Sequence, residues 1–241
     1  MAGNLYLVST PIGNLEDMTF RAVRTLRECD LIAAEDTRRT AQLLQRYDIR
    51  KKMESFHAFN EHAKVERLIA RIREGLNVAL VSDAGTPAVA DPGFLPVRAA
   101  LEAGLEPVVV PGVSAVTFSV TASGLPVDRF AFWNFVPVKS GRKRKFFEEI
   151  AGCGYTVFCF ESPFRIAATL QLIAEIMPDA AVAVIREATK IHEEILRGRA
   201  AELAALKREW RGEFVIGICG KPGRREETEE PSQLPEGGPL R

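Results

Sequence analysis

Three loops rich in Gly, Pro, Ser and Asp each follow a short apolar run, and they are well suited to bind a small molecule. They span residues 9–15, 82–87 and 111–115, and the second continues into Asp91-Pro92-Gly93. Glycine lets a backbone come close to a ligand, and exposed amides can then hydrogen-bond to it. Because ligands of open α/β sheets bind beyond the carboxyl ends of strands, three such loops favour a small-molecule site.

Two adjacent carboxylates, Glu35 and Asp36, end another apolar run and could do acid–base chemistry. A carboxylate at the carboxyl edge of a sheet can accept a proton from a bound acceptor group. The alternative is structural, with Asp36 capping a helix that begins near Thr37 and Glu35 forming an ion pair. Both interpretations remain open from the residues alone.

Strand-like and helix-like patterns alternate along the chain and predict an α/β fold with mostly parallel sheets. Apolar spacings of three and four residues predict helices at 37–47, 60–74, 164–177 and 200–210. Short β-rich runs predict the strands that position the loops. These runs are residues 5–9, 31–35, 77–82, 106–110, 130–135, 155–160, 181–185 and 214–219.

A turn-forming Ser-Gly-Leu-Pro cluster at 123–126 interrupts the alternation and predicts a domain boundary. We expect an N-terminal α/β domain at residues 1–123 and a C-terminal α/β domain at residues 124–221. Residues 222–241 hold Pro, Gly and Glu but no aromatic residue, which predicts a disordered polar tail.

The composition restricts the classes of function. Lys+Arg and Asp+Glu each number 32, so an RNA partner would need a local basic patch rather than net charge. The chain lacks the fingerprints of dinucleotide-binding and Walker A loops, which disfavours an NAD enzyme or a P-loop NTPase. The spacing of His57, His62 and His192 predicts no metal site.

Cysteine usage and hydropathy indicate the compartment. The four cysteines form no C-x-x-C pair, which favours reduced thiols in the cytoplasm. The N-terminus has no signal-peptide pattern, and no apolar run approaches the roughly 20 residues of a membrane span. We therefore expect a cytoplasmic protein without a membrane partner.

The loops and the strand ends together resemble the tetrapyrrole-methylase superfamily. The most specific motifs are Ala-Ala-Glu-Asp-Thr-Arg at 33–38 and Ser-Asp-Ala-Gly-Thr-Pro at 82–87. Glu-Ser-Pro-Phe-Arg at 161–165 and Arg-Glu-Ala-Thr-Lys at 186–190 support the same assignment. The similarity spans roughly residues 4 to 220, and it is greatest to the branch that methylates a cytidine ribose in small-subunit ribosomal RNA.

The resemblance implies two α/β/α domains with S-adenosyl-L-methionine in the cleft between them, and a homodimer. It also implies ribosomal RNA or the small ribosomal subunit as the partner. The chain departs from the family at Asn134, where Gly is usual, and at Phe164, where His is frequent. By resemblance, the cofactor would contact Pro11, Ile12, Asp83, Gly85, Thr86, Ser114, Ala115, Phe160, Ile185 and Phe214.

Methylation of a ribose hydroxyl requires a group that accepts its proton, because the hydroxyl is a poor nucleophile at neutral pH. We predict Glu35 or Asp36 for this role, with Lys190 as a rival that could also stabilise the developing alkoxide. Basic residues predict the RNA contact, although the densest run could also be a solvated helix end. They are Arg38, Arg39, Lys139, Arg142, Lys143, Arg144, Lys145 and Arg165.

Two rival functions remain open. A methylase of tetrapyrrole precursors or a diphthine synthase would share the cofactor loops but not the motifs at 34–38 and 186–190 in this form. A non-catalytic ribosome-assembly factor could keep the fold, and measuring S-adenosylmethionine binding would distinguish it.

Overall fold

The computed structural model describes residues 1–56, 61–91 and 93–220, with only the backbone described at 61–63. The predicted tail, residue 221 and His57 lie outside this part of the chain. Its strands are β1 (Leu5–Val8), β2 (Leu31–Ala34), β3 (Met53–Ser55), β4 (Val78–Val81), β5 (Val108–Val110), β6 (Phe130–Phe135), β7 (Thr156–Glu161), β8 (Ala181–Arg186), β9 (Glu194–Arg199) and β10 (Phe214–Cys219). Its helices are α1 (Phe20–Glu28), α2 (Thr37–Arg46), α3 (Glu61–Arg73), α4 (Phe94–Glu102), α5 (Ala115–Ser123), α6 (Ser140–Gly152), α7 (Ile166–Ile176) and α8 (Ala200–Ala204).

The first sheet is entirely parallel and has the strand order β3-β2-β4-β1-β5. Strands β2 and β4 are buried along their whole length, because helices cover both faces of the sheet. Leu68 and Ile72 of α3 pack on one face, and Leu26 of α1 packs on the other. This arrangement brings the carboxyl ends of β1, β2, β4 and β5 to one edge.

The second sheet has the order β6-β7-β10-β8-β9 and mixes strand directions. Strands β6 and β7 are parallel, whereas the β7–β10, β10–β8 and β8–β9 pairs are antiparallel. Helices α6 and α7 bury Phe147, Ile150, Leu170 and Ile173 against it. Two α/β sheets with helices confirm the predicted fold class.

Two strands, four helices and part of a fifth helix differ from the sequence-based prediction. Helices α1, α4, α5 and α6 were not predicted. Strand β3 is three residues long and β9 has the polar sequence Glu-Ile-Leu-Arg-Gly-Arg, so neither shows a buried-strand pattern. Helix α8 was predicted to reach residue 210 but ends at Ala204. Beyond the helix, Arg208 pairs with Glu194 at 2.6 Å and lies 4.8 Å from the Trp210 ring centroid.

Helix α5 lies just before the predicted domain boundary and packs against the second sheet. Its Phe118 and Val120 contact the cluster that contains Phe158 and Ile185. Gly124 ends the helix in the left-handed conformation, with φ of 69°. A boundary at residues 123 and 124 stays a prediction. No helix within the described ranges is long and apolar enough to cross a membrane.

Candidate functional site

A cavity of about 430 Å³ lies between the two sheets, at the carboxyl edge of the first. The loops after β1, β4 and β5 form one wall, and residues of β7, β8 and β10 form the other. Nine of the ten predicted cofactor residues line it: Ile12, Asp83, Gly85, Thr86, Ser114, Ala115, Phe160, Ile185 and Phe214. Pro11 lines instead an adjoining cavity of about 250 Å³, which shares Ile12, Arg39 and Asp83 with the first.

The loops after β1 and β4 are joined by backbone hydrogen bonds. Thr10 N donates to Gly85 O at 2.9 Å, and Gly85 N donates to Thr10 O at 3.0 Å. Gly85 has φ of +80°, a conformation that favours glycine, and a Cβ there would lie 3.4 Å from Ile12 Cγ2. It is therefore the backbone conformation that favours glycine there, since a Cβ would make only ordinary van der Waals contact with Ile12.

Glu35 and Asp83 cross-link the ends of β2 and β4. Asp83 N donates to Glu35 Oε2 at 3.2 Å, and Asp36 N donates to Asp83 Oδ1 at 2.8 Å. Arg39 lies 3.5 Å from the second oxygen of Asp83. Glu35, Asp83 and Arg39 all line the larger cavity, so this cross-link forms part of its polar wall.

Asp36 caps helix α2, which is the structural alternative considered for it above. Its Oδ1 accepts a hydrogen bond from Arg38 N at 2.8 Å, and its carboxylate forms an ion pair with the Arg38 side chain. The hydrogen bond from the Arg38 side chain lowers the pKa of Asp36 to about 2. Asp36 is also absent from the described lining of both cavities. A carboxylate held in this way is a weak proton acceptor.

Asp91 is a cavity carboxylate that the sequence analysis did not assign a role. It lines the larger cavity and is half-buried near Glu35 and Asp83. Burial and the charge of Glu35 raise the pKa of Asp91 to about 6, although a hydrogen bond with Ser82 opposes the shift. The only signal in the sequence is its position in Asp-Pro-Gly, which extends the second loop.

Lys190 lies in the adjoining cavity as one partner of a charged cluster. Its Nζ lies 2.9 Å from Glu213 Oε2 and 3.0 Å from Glu187 Oε1. Burial acts to lower the pKa of Lys190, but the hydrogen bonds to Glu213 and Glu187 outweigh it and raise the pKa. Lys190 is therefore protonated at neutral pH, which suits a cation that stabilises negative charge and does not suit a base.

The turn between β8 and β9 joins the two halves of the chain. Asn14 N, in the loop after β1, donates to Thr189 Oγ1 at 3.1 Å. Thr189 has φ of 65°, which is rare for a β-branched residue and stores backbone strain. Gly13 makes the contact possible, because a Cβ there would overlap Lys190 Cγ and lie 2.8 Å from Thr189 Oγ1.

Aromatic side chains form the opposite wall of the larger cavity. Phe135, Phe160 and Phe214 line it, and the Phe135 and Phe160 rings are 5.2 Å apart. Asn134, where the family usually has Gly, has φ of 57° and accepts a hydrogen bond from Phe135 N at 2.9 Å. Asn tolerates the left-handed conformation better than other residues with a Cβ, so it replaces Gly there.

Three residues predicted to bind RNA are engaged within the protein. Arg165 forms an ion pair of 2.7 Å with the fully buried Glu161 and donates to Val136 O at 3.2 Å. Lys143 donates to Thr169 Oγ1 at 3.1 Å, and Arg144 pairs with Glu175 at 2.8 Å. These contacts reduce the positive charge that the three residues offer to a ligand.

The other predicted RNA-binding residues are exposed. Lys139, Arg142 and Lys145 lie around the start of α6 and have no ion-pair partner within the described ranges. Arg38 and Arg39 lie across the cavity, where both are exposed beside acidic partners. Among the described residues, no group of three or more His, Cys, Asp and Glu side chains is arranged to hold a metal ion.

Comparison with known proteins identifies the family. Residues 4–204 match the family described as Tetrapyrrole (Corrin/Porphyrin) Methylases. The chain belongs to the tetrapyrrole methylase family. The Ribosomal RNA small subunit methyltransferase I of Halalkalibacterium halodurans is 44% identical over 95% of this chain and 79% of its own. The protein of that name from Thermotoga maritima is 42% identical over 91% of this chain and 99% of its own.

Solved structures of tetrapyrrole methylases share the fold. A uroporphyrin-III-C-methyltransferase from Thermus thermophilus has a TM-score of 0.62 at 22% identity, and the alignment covers 90% of this chain and 94% of that one. A structure of the Thermus thermophilus enzyme complexed with S-adenyl homocysteine has a TM-score of 0.61 at 20% identity, covering 89% and 97% of the two chains. The chain is thus a methyltransferase whose cofactor is S-adenosylmethionine.

The larger cavity fits this cofactor in chemistry. The cofactor has a flat adenine at one end and positive sulfonium and ammonium groups at the other. An apolar wall suited to the adenine is formed by Phe160, Ile185 and Phe214. Negative charge suited to the sulfonium and ammonium groups comes from Glu35, Asp83 and Asp91.

Proposed function

We propose that this methyltransferase modifies the ribose 2′-hydroxyl of a cytidine in small-subunit ribosomal RNA. The observation that carries the proposal is the identity of 42–44% with proteins named Ribosomal RNA small subunit methyltransferase I, over more than nine-tenths of the chain. Two motifs favour the cytidine-ribose branch: the one at 33–38 contributes Glu35 to the larger cavity, and the one at 186–190 contributes Ala188 to the larger cavity and Lys190 to the adjoining one.

The residues around the larger cavity can hold the cofactor and remove the acceptor proton. When bound, S-adenosylmethionine supplies an electrophilic methyl group. We assign proton acceptance to Asp91, because a base with a pKa near 6 is ionised at neutral pH and still basic enough to be effective. Glu35 keeps that pKa raised through its charge. Lys190 lines the adjoining cavity, where its charge is balanced by Glu187 and Glu213.

RNA would approach through local positive charge, since the chain has no net charge. Lys139, Arg142 and Lys145 offer this charge on one side of the cleft, and Arg38 and Arg39 offer it on the other. Phosphate contacts of this kind fix the position of an RNA, and the cavity selects the nucleotide.

The active form would be a homodimer in the cytoplasm, where ribosomal subunits are assembled. Among the described strands, β5 forms one edge of the first sheet, and its Val108 and Val109 are exposed. An apolar edge strand is a natural site for association with a second copy.

The proposal is tested by transfer of labelled methyl groups from S-adenosylmethionine. Unmodified small ribosomal subunits, large subunits, a tetrapyrrole precursor and unmodified elongation factor would be offered separately. We expect label only in the RNA of small subunits. Label in the tetrapyrrole or the protein factor would assign the chain to another branch, and the absence of both cofactor binding and methyl transfer would favour an assembly factor.

A further inference from the structure

An exposed phenylalanine at the mouth of the larger cavity is unexplained by the fold. Phe164 is 96% exposed, although it lies between Pro163, which lines the cavity, and Arg165, which is anchored in the core. We propose that Phe164 is a stacking platform for an unpaired base of the RNA substrate. The inference rests on the proposed function and names a contact that selects single-stranded RNA.

The backbone that carries Phe164 is held rigidly. Ser162 Oγ accepts from Phe164 N at 3.3 Å, and Ser162 O accepts from Arg165 N at 3.0 Å. Below the turn, the buried Glu161 accepts hydrogen bonds from Ser162 N at 2.7 Å and from Thr169 Oγ1 at 2.6 Å. The ring therefore projects into solvent from a fixed base, so stacking on it costs little backbone entropy.

The segment next to the Phe164 turn carries exposed apolar and basic side chains, which together with Phe164 we call the aromatic–basic rim (Phe135, Val138, Lys139, Arg142 and Phe164). Phe135 and Val138 are 56% and 77% exposed. The segment 135–139 lies beside the Phe164 turn, because Arg165 donates to Val136 O at 3.2 Å and Val136 N donates to Phe160 O at 3.0 Å. Phe135 also lines the cavity, so the rim borders its mouth.

The chemistry of the rim matches single-stranded nucleic acid more closely than a protein partner. Surfaces that bind single strands combine aromatic rings, on which bases stack, with cations that follow the backbone. Lys139 and Arg142 supply exposed cations at the start of α6, next to the exposed rings. A base stacked on Phe164 would leave the adjacent nucleotide at the cavity, where a ribose has to enter for methylation.

Three variants separate stacking from general hydrophobicity. Phe164→Leu keeps an apolar side chain without a ring, and Phe164→Tyr keeps the ring. Phe20→Leu is the matched control, because Phe20 is 97% exposed but begins α1, whose residues do not line either cavity within the described chain. Binding of a single-stranded RNA with one 2-aminopurine would be followed by anisotropy at several salt concentrations and by quenching of the 2-aminopurine fluorescence.

We expect Phe164→Leu to weaken RNA binding by about fivefold or more and to reduce the quenching, because each stacked base contributes measurably to affinity. The salt dependence should not change, since no phosphate contact is removed. Phe164→Tyr should bind within about twofold of wild type by the same stacking argument. Cofactor affinity measured by calorimetry should be equal in all the variants, which establishes that the site is folded.

If Phe164→Leu binds RNA with wild-type affinity and with wild-type quenching, the stacking role is overturned and the proposed function is not. Equal losses in Phe164→Leu and Phe20→Leu would also overturn it, because the effect would then be general. If sedimentation shows that Phe164→Leu is monomeric while the wild type is dimeric, the ring belongs to a subunit contact instead. If the wild type binds no RNA, the proposed function fails together with this inference.

Discussion

Two aspartates near the cofactor cavity differ in pKa although their side chains are chemically identical. The hydrogen bond from Arg38 lowers the pKa of Asp36 to about 2, whereas burial and the charge of Glu35 raise the pKa of Asp91 to about 6. The sequence indicated carboxylates at the strand end but could not distinguish them, because their partners come from distant segments. The role of Asp91 depends on the fold placing residue 91 near residue 35.

The raised pKa of Asp91 predicts a pH-dependent cost to stability. Below its ordinary pKa near 4 the group is neutral in both the folded and unfolded states, and it costs nothing. As the pH rises from about 4 to about 6, the unfolded chain loses the proton before the folded one, so stability falls. Asp91→Asn should therefore raise the melting temperature at pH 8, with the gain disappearing below pH 4.

The matched control for that prediction is Asp128→Asn, because the Asp128 side chain is 80% exposed. Thermal unfolding of both variants would be followed from pH 3.5 to pH 8. A gain in Asp91→Asn that is independent of pH, or a similar gain in Asp128→Asn, would contradict an elevated pKa at Asp91.

Single-turnover kinetics distinguish the three carboxylates by function. Asp91→Asn should lower the methylation rate by about 100-fold or more, because a proton acceptor is lost. Glu35→Gln should shift the acidic limb of the pH–rate profile to lower pH, since the charge that raises the pKa of Asp91 is gone. Asp36→Asn should keep both the rate and nearly all of the stability, because Asn caps a helix about as well as Asp.

The rates should be measured with saturating RNA and cofactor, so that binding defects do not contribute. A large rate loss in Asp36→Asn with an unchanged melting temperature would make Asp36 the base. Near-normal rates in both Asp91→Asn and Glu35→Gln would remove these two carboxylates from proton transfer.

At the scale of elements, most strands were predictable because their apolar runs are continuous. Strands β6 and β10 have the predicted bounds, and β1, β2 and β4 differ from prediction only at their ends. The edge strands β3 and β9 were missed, since an edge strand contacts solvent and needs no apolar pattern. The strained turn before β9 could not be predicted either, because it is stabilised by the loop after β1.

Substitution of Gly13 tests whether the turn before β9 positions the loop after β1 at the cofactor site. In Gly13→Ala the new methyl group would lie 2.8 Å from Thr189 Oγ1 and 3.0 Å from Ala188 O, so one of the two segments must move. Since Pro11 and Ile12 belong to the same loop, we expect cofactor affinity to fall by about tenfold, or roughly 1.4 kcal/mol.

Gly141→Ala is the control, because a Cβ at Gly141 in α6 meets no atom within 4 Å. This variant should keep wild-type cofactor affinity and gain slight stability, since Ala favours a helix over Gly. Isothermal calorimetry measures both affinities. Unchanged affinity in Gly13→Ala would mean that the contact between the halves does not position the loop.

At the scale of the whole molecule, the site is built from both halves of the chain. Cavity residues come from positions as distant as Ile12 and Val215, so no local sequence pattern defines the cavity. The resemblance to a family predicted the nine lining residues, whereas composition and spacing alone predicted only the three loops. Net charge was uninformative, because the exposed cations near α6 are balanced by acidic residues elsewhere.

The proposed dimer can be tested at the edge of the first sheet. Val109 is 53% exposed on β5, and Val109→Lys should dissociate the dimer, because a charge would be buried at an apolar contact. Leu206→Lys is the control, since Leu206 is also a partly exposed apolar residue but lies after α8 in the second half. Sedimentation would measure both, and a dimer that persists in Val109→Lys would locate the interface elsewhere.

The identity of the atom that receives the methyl group tests the proposed function most directly. Small subunits methylated by the protein would be digested to nucleosides, and the products would be identified by mass spectrometry and located by mapping of the RNA fragments. We predict a single 2′-O-methylcytidine per subunit, which is absent when Asp91→Asn replaces the wild type. A methyl group on a base, on another nucleoside, or on the large subunit would contradict the account.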